Sequence, residues 1–170
     1  GAASCENLET IFSKKIAENP EDTKIVEQAF KLMARANCSS DFFFTVGEKH
    51  YAANKTSEVA MLLAQGFQDK QNFDKANQYL REALSTETVA AEREKLFVRI
   101  GILDMSTNNF ASAVAAFRDA QAINPENAHV PFFLAQCYVN GAKNCSGLAK
   151  DAIYWVAYDL IQKALPLLEV

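Results

Sequence analysis

The sequence has no basic tract. Its 17 Lys and Arg are outnumbered by 21 Asp and Glu, the signs are interspersed, and the net charge is −4. A nucleic acid or an anionic membrane surface therefore has no support as a partner. No apolar run approaches the ~20 residues of a membrane span, so membrane insertion is not expected. No GxSxG, P-loop or HExxH occurs, so no catalytic residue is assigned and the chain reads as a non-enzyme. Asp69, Asp74 and Asp104 are spaced as turn and helix-surface residues. His50 falls near a helix end and His129 in an ordinary loop position. There is no CxxC, and both histidines are far in sequence from the four cysteines, so neither zinc nor another cofactor is expected. A signal peptide is absent too. The chain starts Gly1-Ala2-Ala3-Ser4 without an initiating Met, so it reads as a mature or trimmed product from which a signal was removed.

What the sequence does have is helix. Apolar content is 49%, enough for a continuous core, and 170 residues suit one domain. Leu8, Ile11, Phe12 and Ile16 recur at helical spacing over 5–17, and Asn19-Pro20 ends that run. Ile25, Val26, Ala29, Phe30 and Met33 form the inner face of a second helix, capped by Asp22 or Thr23 and reaching Ala36. A third, over 42–53 and capped by Ser40 or Asp41, carries Phe42, Phe43, Phe44 and Tyr51. That density reads as burial on more than one side rather than as an aromatic binding box. Further helices are expected over 58–70, 73–84, 91–106 and 110–123, then from near Pro131 to Val139 or Asn140, and over 151–165, with Pro166 ending or kinking the last.

A repeat organises these helices. Phe97, Ile100 and Gly101 share one helix face, Thr107-Asn108-Asn109 marks a turn, and Ala113, Phe117 and Ala120 share a face of the next helix. At an offset of 37 residues, Ala60, Leu63, Ala64, Phe67, Phe73, Ala76, Leu80 and Ala83 match Phe97, Ile100, Gly101, Asp104, Phe110, Ala113, Phe117 and Ala120. The small residues at Gly101/Ala64 and Ala113/Ala76 let two antiparallel helices approach closely, and Phe117/Leu80 fill the space between repeats. At 34 residues forward, Pro131, Leu134, Ala135 and Tyr138 begin another copy. Its second helix, with Tyr154, Ala157, Ile161 and Ala164, follows only after an inserted loop at 140–149. The pattern resembles the tetratricopeptide repeat, TPR. That resemblance implies an all-α fold, a right-handed α-α superhelix of TPR-like helical hairpins. It implies one domain over 1–170, in approximate units 5–22 (a half repeat), 23–56, 57–93, 94–127 and 128–170.

The cysteines are informative by position. Cys5 begins the first helix and Cys38 follows the second, so in an antiparallel hairpin they lie side by side. Cys137 and Cys145 flank the inserted loop, where a bridge would pin the loop to the helix it leaves. Four cysteines allow three connectivities, and free buried thiols in a cytoplasmic protein are the alternative. A bridge would place the protein in an oxidising compartment.

Two segments go beyond a generic repeat. Cys5-Glu6-Asn7-Leu8, followed by Asn19-Pro20 and Cys38-Ser39-Ser40-Asp41, is one. Tyr154-Trp155-Val156-Ala157-x-Asp159, followed by Lys163-Ala164, is the other. Together they resemble exported TPR proteins of Gram-negative gut anaerobes. The resemblance implies export, most simply to the periplasm, an all-α superhelix and no catalytic activity.

In a TPR stack the first helices of successive repeats line a concave face. The register puts Met61, Gln65 and Gln68, then Val98, Ile102 and Met105, then Phe132, Gln136 and Val139 on that face. The later sets are more apolar than a solvated face requires, which indicates a partner. The alternative is that the closing helix, with Trp155 and Tyr158, folds over the patch. TPRs that clamp a terminal carboxylate use Lys, Asn and Arg at these places. Here only Arg99 has a suitable charge, so an apolar or mixed peptide is expected. The expected function is a protein-binding scaffold of the cell envelope. The alternatives are a self-associating structural protein and an accessory domain of an envelope enzyme complex.

Overall fold

The computed structural model describes residues 4–144 and 146–168. They form an all-α, TPR-like helical-repeat fold, with no strand among the described residues. The helices are α1 (Cys5–Glu18), α2 (Thr23–Arg35), α3 (Asp41–Ala53), α4 (Ser57–Asp69), α5 (Phe73–Thr86), α6 (Ala90–Ser106), α7 (Phe110–Ile123), α8 (His129–Gly141) and α9 (Gly147–Leu168). A 3₁₀ turn, Ala142–Asn144, follows α8. The chain divides into two compact units, Gly1–Thr86 and Glu87–Val170. The first holds α1–α5 and the second α6–α9.

Local chemistry sets the helix starts. Ser4, Asp22, Ser40 and Thr56 each accept a hydrogen bond from a backbone N–H in the first turn of α1, α2, α3 and α4, which satisfies donors the helix cannot. The turns inside the hairpins are built alike. After α2, α4 and α6 the chain passes through Asn37, Gln71 and Asn108, the described non-glycine residues with positive φ (53°, 59° and 62°). At each, the following N–H reaches back to a carbonyl in the last turn: Cys38 to Met33, Asn72 to Phe67, and Asn109 to Asp104. This is the Schellman closure of a helix, used three times in register with the sequence repeat.

Packing in the first unit runs along an aromatic ladder. Phe30 of α2 stacks on Phe43 of α3 at 5.2 Å, Phe44 on Phe67 of α4 at 4.0 Å, and Phe67 on Tyr79 of α5 at 5.6 Å. Phe43, Phe44 and Tyr51 are all buried, so α3 is a core helix on more than one side. Cys5 and Cys38 form a disulfide that ties the start of α1 to the end of α2. In the second unit, Ala113, Phe117 and Ala120 of α7 meet Val130, Leu134 and Cys137 of α8 in one buried cluster. Cys137 is a buried free thiol rather than half of a second bridge, and Cys145 lies outside the described residues.

Two expectations are corrected. The closing helix begins at Gly147 rather than Asp151, and it continues past Pro166 to Leu168. Pro166 is exposed, so water can take the Gln162 carbonyl that the missing proline N–H leaves unpaired. Asp104 is no surface residue. It is 2% exposed, and Ser112 Oγ donates to its Oδ2. It occupies the register position of Phe67, an inward place. His50 lies near a helix end as expected, in the last turn of α3, and is buried against Phe30, with their ring centroids 5.7 Å apart.

Candidate functional site

The second unit carries an apolar concavity of about 420 Å³. Ile102, Met105 and Ser106 of α6, Phe132, Ala135, Gln136, Val139 and Asn140 of α8, and Ile161 of α9 line it. Spacings of three and four keep each set on one face of its helix. The opposite face of α8 presents Val130, Leu134 and Cys137 to the core, so burial of that face fixes the outward direction of Phe132 and Gln136. Among the described residues, no charged side chain lines the concavity. Phe132 is 46% and Ile102 39% exposed, which leaves apolar surface of the hollow uncovered.

Five of the residues chosen by register, Ile102, Met105, Phe132, Gln136 and Val139, come together here. Val98 does not line the hollow; it packs half-buried on the α7–α8 cluster. Ser106 and Asn140 were legible in principle, since each lies four residues beyond a chosen position. Ile161 was not, because its register position is that of Phe117, an interior residue. The closing helix does not cover the patch: only Ile161 of α9 reaches it. Trp155 and Tyr158, with Tyr154, line a separate open hollow and are themselves exposed.

In the first unit, Met61, Gln65 and Gln68 lie on α4. Met61 and Gln68 are half-buried, and the exposed Gln65 donates from Nε2 to Asp69 Oδ1 at 3.0 Å. The matching face of α2 is polar, with Lys24, Glu27, Gln28, Lys31, Leu32 and Arg35 around a shallow hollow. There Lys31 Nζ donates to Glu27 at 2.7 Å, and this hydrogen bond lowers the Glu27 pKa below its ordinary value and raises that of Lys31.

Reactive chemistry is sparse. Burial pushes the Cys137 thiol up to about 11, so it stays protonated and is a poor nucleophile. Burial also lowers the His50 pKa. Among the described residues, no group of His, Cys, Asp and Glu could hold a metal ion, and no helix is long and apolar enough to cross a membrane.

No protein family and no curated protein matches the chain significantly. Solved structures do. Two crystal structures of MamA match with TM-scores of 0.68 and 0.69, at 12% and 13% identity. Each match covers 96% of this chain, and they cover 90% and 81% of the MamA chains. A further structure, MamA AMB-1, matches at TM-score 0.62 and 17% identity, over 97% of this chain and 95% of its own. At such identities the likeness is one of fold.

Proposed function

We propose that the chain is a non-enzymatic interaction scaffold that binds an apolar or mixed peptide segment of a protein partner. The observation that carries this reading is the uncharged hollow between α6, α8 and α9, with Ile102 and Phe132 left uncovered. An apolar floor with a few amides at its edge suits a peptide. Side chains fill the hollow, while the Gln136 and Asn140 amides remain available to backbone groups. Val98 acts from beneath, by holding the core on which the site rests. Met61, Gln65 and Gln68 form a separate, more polar strip on the first unit.

The Cys5–Cys38 bridge supports an oxidising compartment, and the resemblance of the Cys5 and Tyr154 segments supports export to the periplasm. Affinity capture from envelope extract, with wild type beside an Ile102→Arg/Phe132→Arg variant, tests the groove. A prey lost from the variant, whose peptide then binds the purified wild type, supports the reading. A prey set identical for both removes the groove as the site.

A further inference from the structure

Packing accounts for three glycines inside helices. A Cβ at Gly47, Gly66 or Gly101 would stand 2.6, 2.7 or 2.6 Å from a neighbouring side chain. Gly141, the last residue of α8, is different. A Cβ there would have Phe110 Cβ as its nearest neighbour, at an ordinary 3.9 Å, and its φ is not positive. Neither space nor backbone requires a glycine, and alanine would favour the helix more. The glycine does have a chemical consequence. It follows Asn140 in the single Asn-Gly pair of the sequence. Asn140 is half-buried in the wall of the hollow, and its side-chain amide makes no hydrogen bond among the described residues.

We propose that Asn140–Gly141 is a deamidation site, which gives the uncharged hollow a carboxylate as the protein ages. The Gly141 backbone nitrogen attacks Asn140 Cγ. The N–Cγ bond forms, the Cγ–Nδ2 bond breaks, and Nδ2 leaves as ammonia with the proton of the Gly141 amide. Water then opens the five-membered succinimide. Addition at Cγ gives an aspartyl residue, and addition at the Asn140 backbone carbonyl gives an isoaspartyl one. Water enters and ammonia departs, so no other reactant is needed. Glycine suits this step because no Cβ shields its nitrogen. A closed helix opposes it, since each N–H is directed at the carbonyl four residues back. Asn140 and Gly141 lie where that restraint ends. The Ala142 N–H bonds back to the Tyr138 and Asn140 carbonyls, and the chain tightens into the 3₁₀ turn. Terminal turns open at low free-energy cost, and the attack occurs from the opened turn. Either product places a negative charge beside Gln136 and Val139, where an apolar segment would have to desolvate it. The isoaspartyl form also routes the main chain through Cβ and breaks the last turn of α8. The effect on binding rests on the proposed function, whereas the reaction does not.

Peptide mapping by mass spectrometry, after weeks in mildly alkaline buffer at physiological temperature, tests the reaction. Folded wild type should gain the acid at residue 140, in both isomers, faster than at any other asparagine. Gly141→Ala, which the open space admits, should keep wild-type circular dichroism and slow the reaction at least about fivefold, the helix-closing advantage of alanine over glycine. An amide that survives in the folded chain while the urea-unfolded chain loses it overturns the proposal, and so does an equal rate in Gly141→Ala. The consequence is read separately, in the envelope capture. An Asn140→Asp bait should lose the prey that Ile102→Arg/Phe132→Arg loses. A prey kept by Asn140→Asp but lost from the double variant overturns the charge effect and leaves the groove as the site. A prey set common to all baits removes the groove itself, and the mapping still decides the reaction.

Discussion

Gly101 of α6 lies directly beneath the ring of Phe117 of α7: a Cβ at residue 101 would stand 2.6 Å from Phe117 Cε1. The two helices approach that closely because one of them has no side chain at the crossing. Phe117 is fully buried between α6 and the α8 cluster, so its ring has no room to yield. Gly101→Ala should therefore destabilise the second unit by about 1–3 kcal/mol through overpacking, although alanine is the better helix former. Urea unfolding followed by circular dichroism measures this. An unchanged or raised midpoint would show that the ring can move aside.

The Cys5–Cys38 bridge spans 33 residues of sequence. Loop entropy alone makes its loss worth about 3–4 kcal/mol. The Cys5→Ser variant, and wild type in reductant, should show similarly lowered unfolding midpoints. Reductant should have little further effect on the variant.

His50 gives the protein an acid sensitivity. Burial lowers its pKa below the ordinary 6.5, and its Nε2 has no hydrogen-bond partner among the described residues. The folded state therefore holds His50 neutral, while the unfolded chain takes a proton near pH 6.5. The stabilisation is complete above that pH and is lost as pH falls below it. The urea midpoint should drop between pH 7.5 and 5.5. His50→Gln should flatten that drop, and an equally steep drop in the variant would assign the effect to another group.

Ser112 Oγ donates to the buried Asp104 carboxylate across the α6–α7 turn. Hydrogen bonds to charged groups contribute about 1.5–3 kcal/mol, so Ser112→Ala should cost that much in an unfolding titration. Ser112→Thr should recover part of the loss by keeping the hydroxyl. If both variants match wild type, Asp104 is held by its other interactions.

The hairpins were legible because small residues and turns carry them. Ala64, Ala76, Gly101 and Ala113 mark the crossings by size. Asn108 falls in the Thr107-Asn108-Asn109 turn, whereas the left-handed closures at Asn37 and Gln71 emerge only in the structure. The cysteine hairpin followed from the antiparallel order of its two helices. Asp104 was misread because residue type outweighed register: a carboxylate suggests solvent, whereas its position is that of Phe67. Pro166 does not end the helix, because a proline at an exposed last turn costs less than one inside a packed helix. The hollow was only half legible, since helix spacing gives the facing residues of α6 and α8 but not which side chain arrives from a third helix. Ile161 is that residue, and Val98 shows the converse, a chosen position absorbed by the core.

The bridge between Cys5 and Cys38 also makes α1 and α2 part of a covalent ring. The turn joining them, Asn19–Asp22, is exposed along its length, as a protease requires. A cut there opens the ring without releasing a fragment, because the amino-terminal piece stays tied beside α3 through Cys38. Such a nick would be silent by mass in solution and would show only after reduction. In a compartment rich in proteases, the first hairpin would thus outlast breakage of its own backbone.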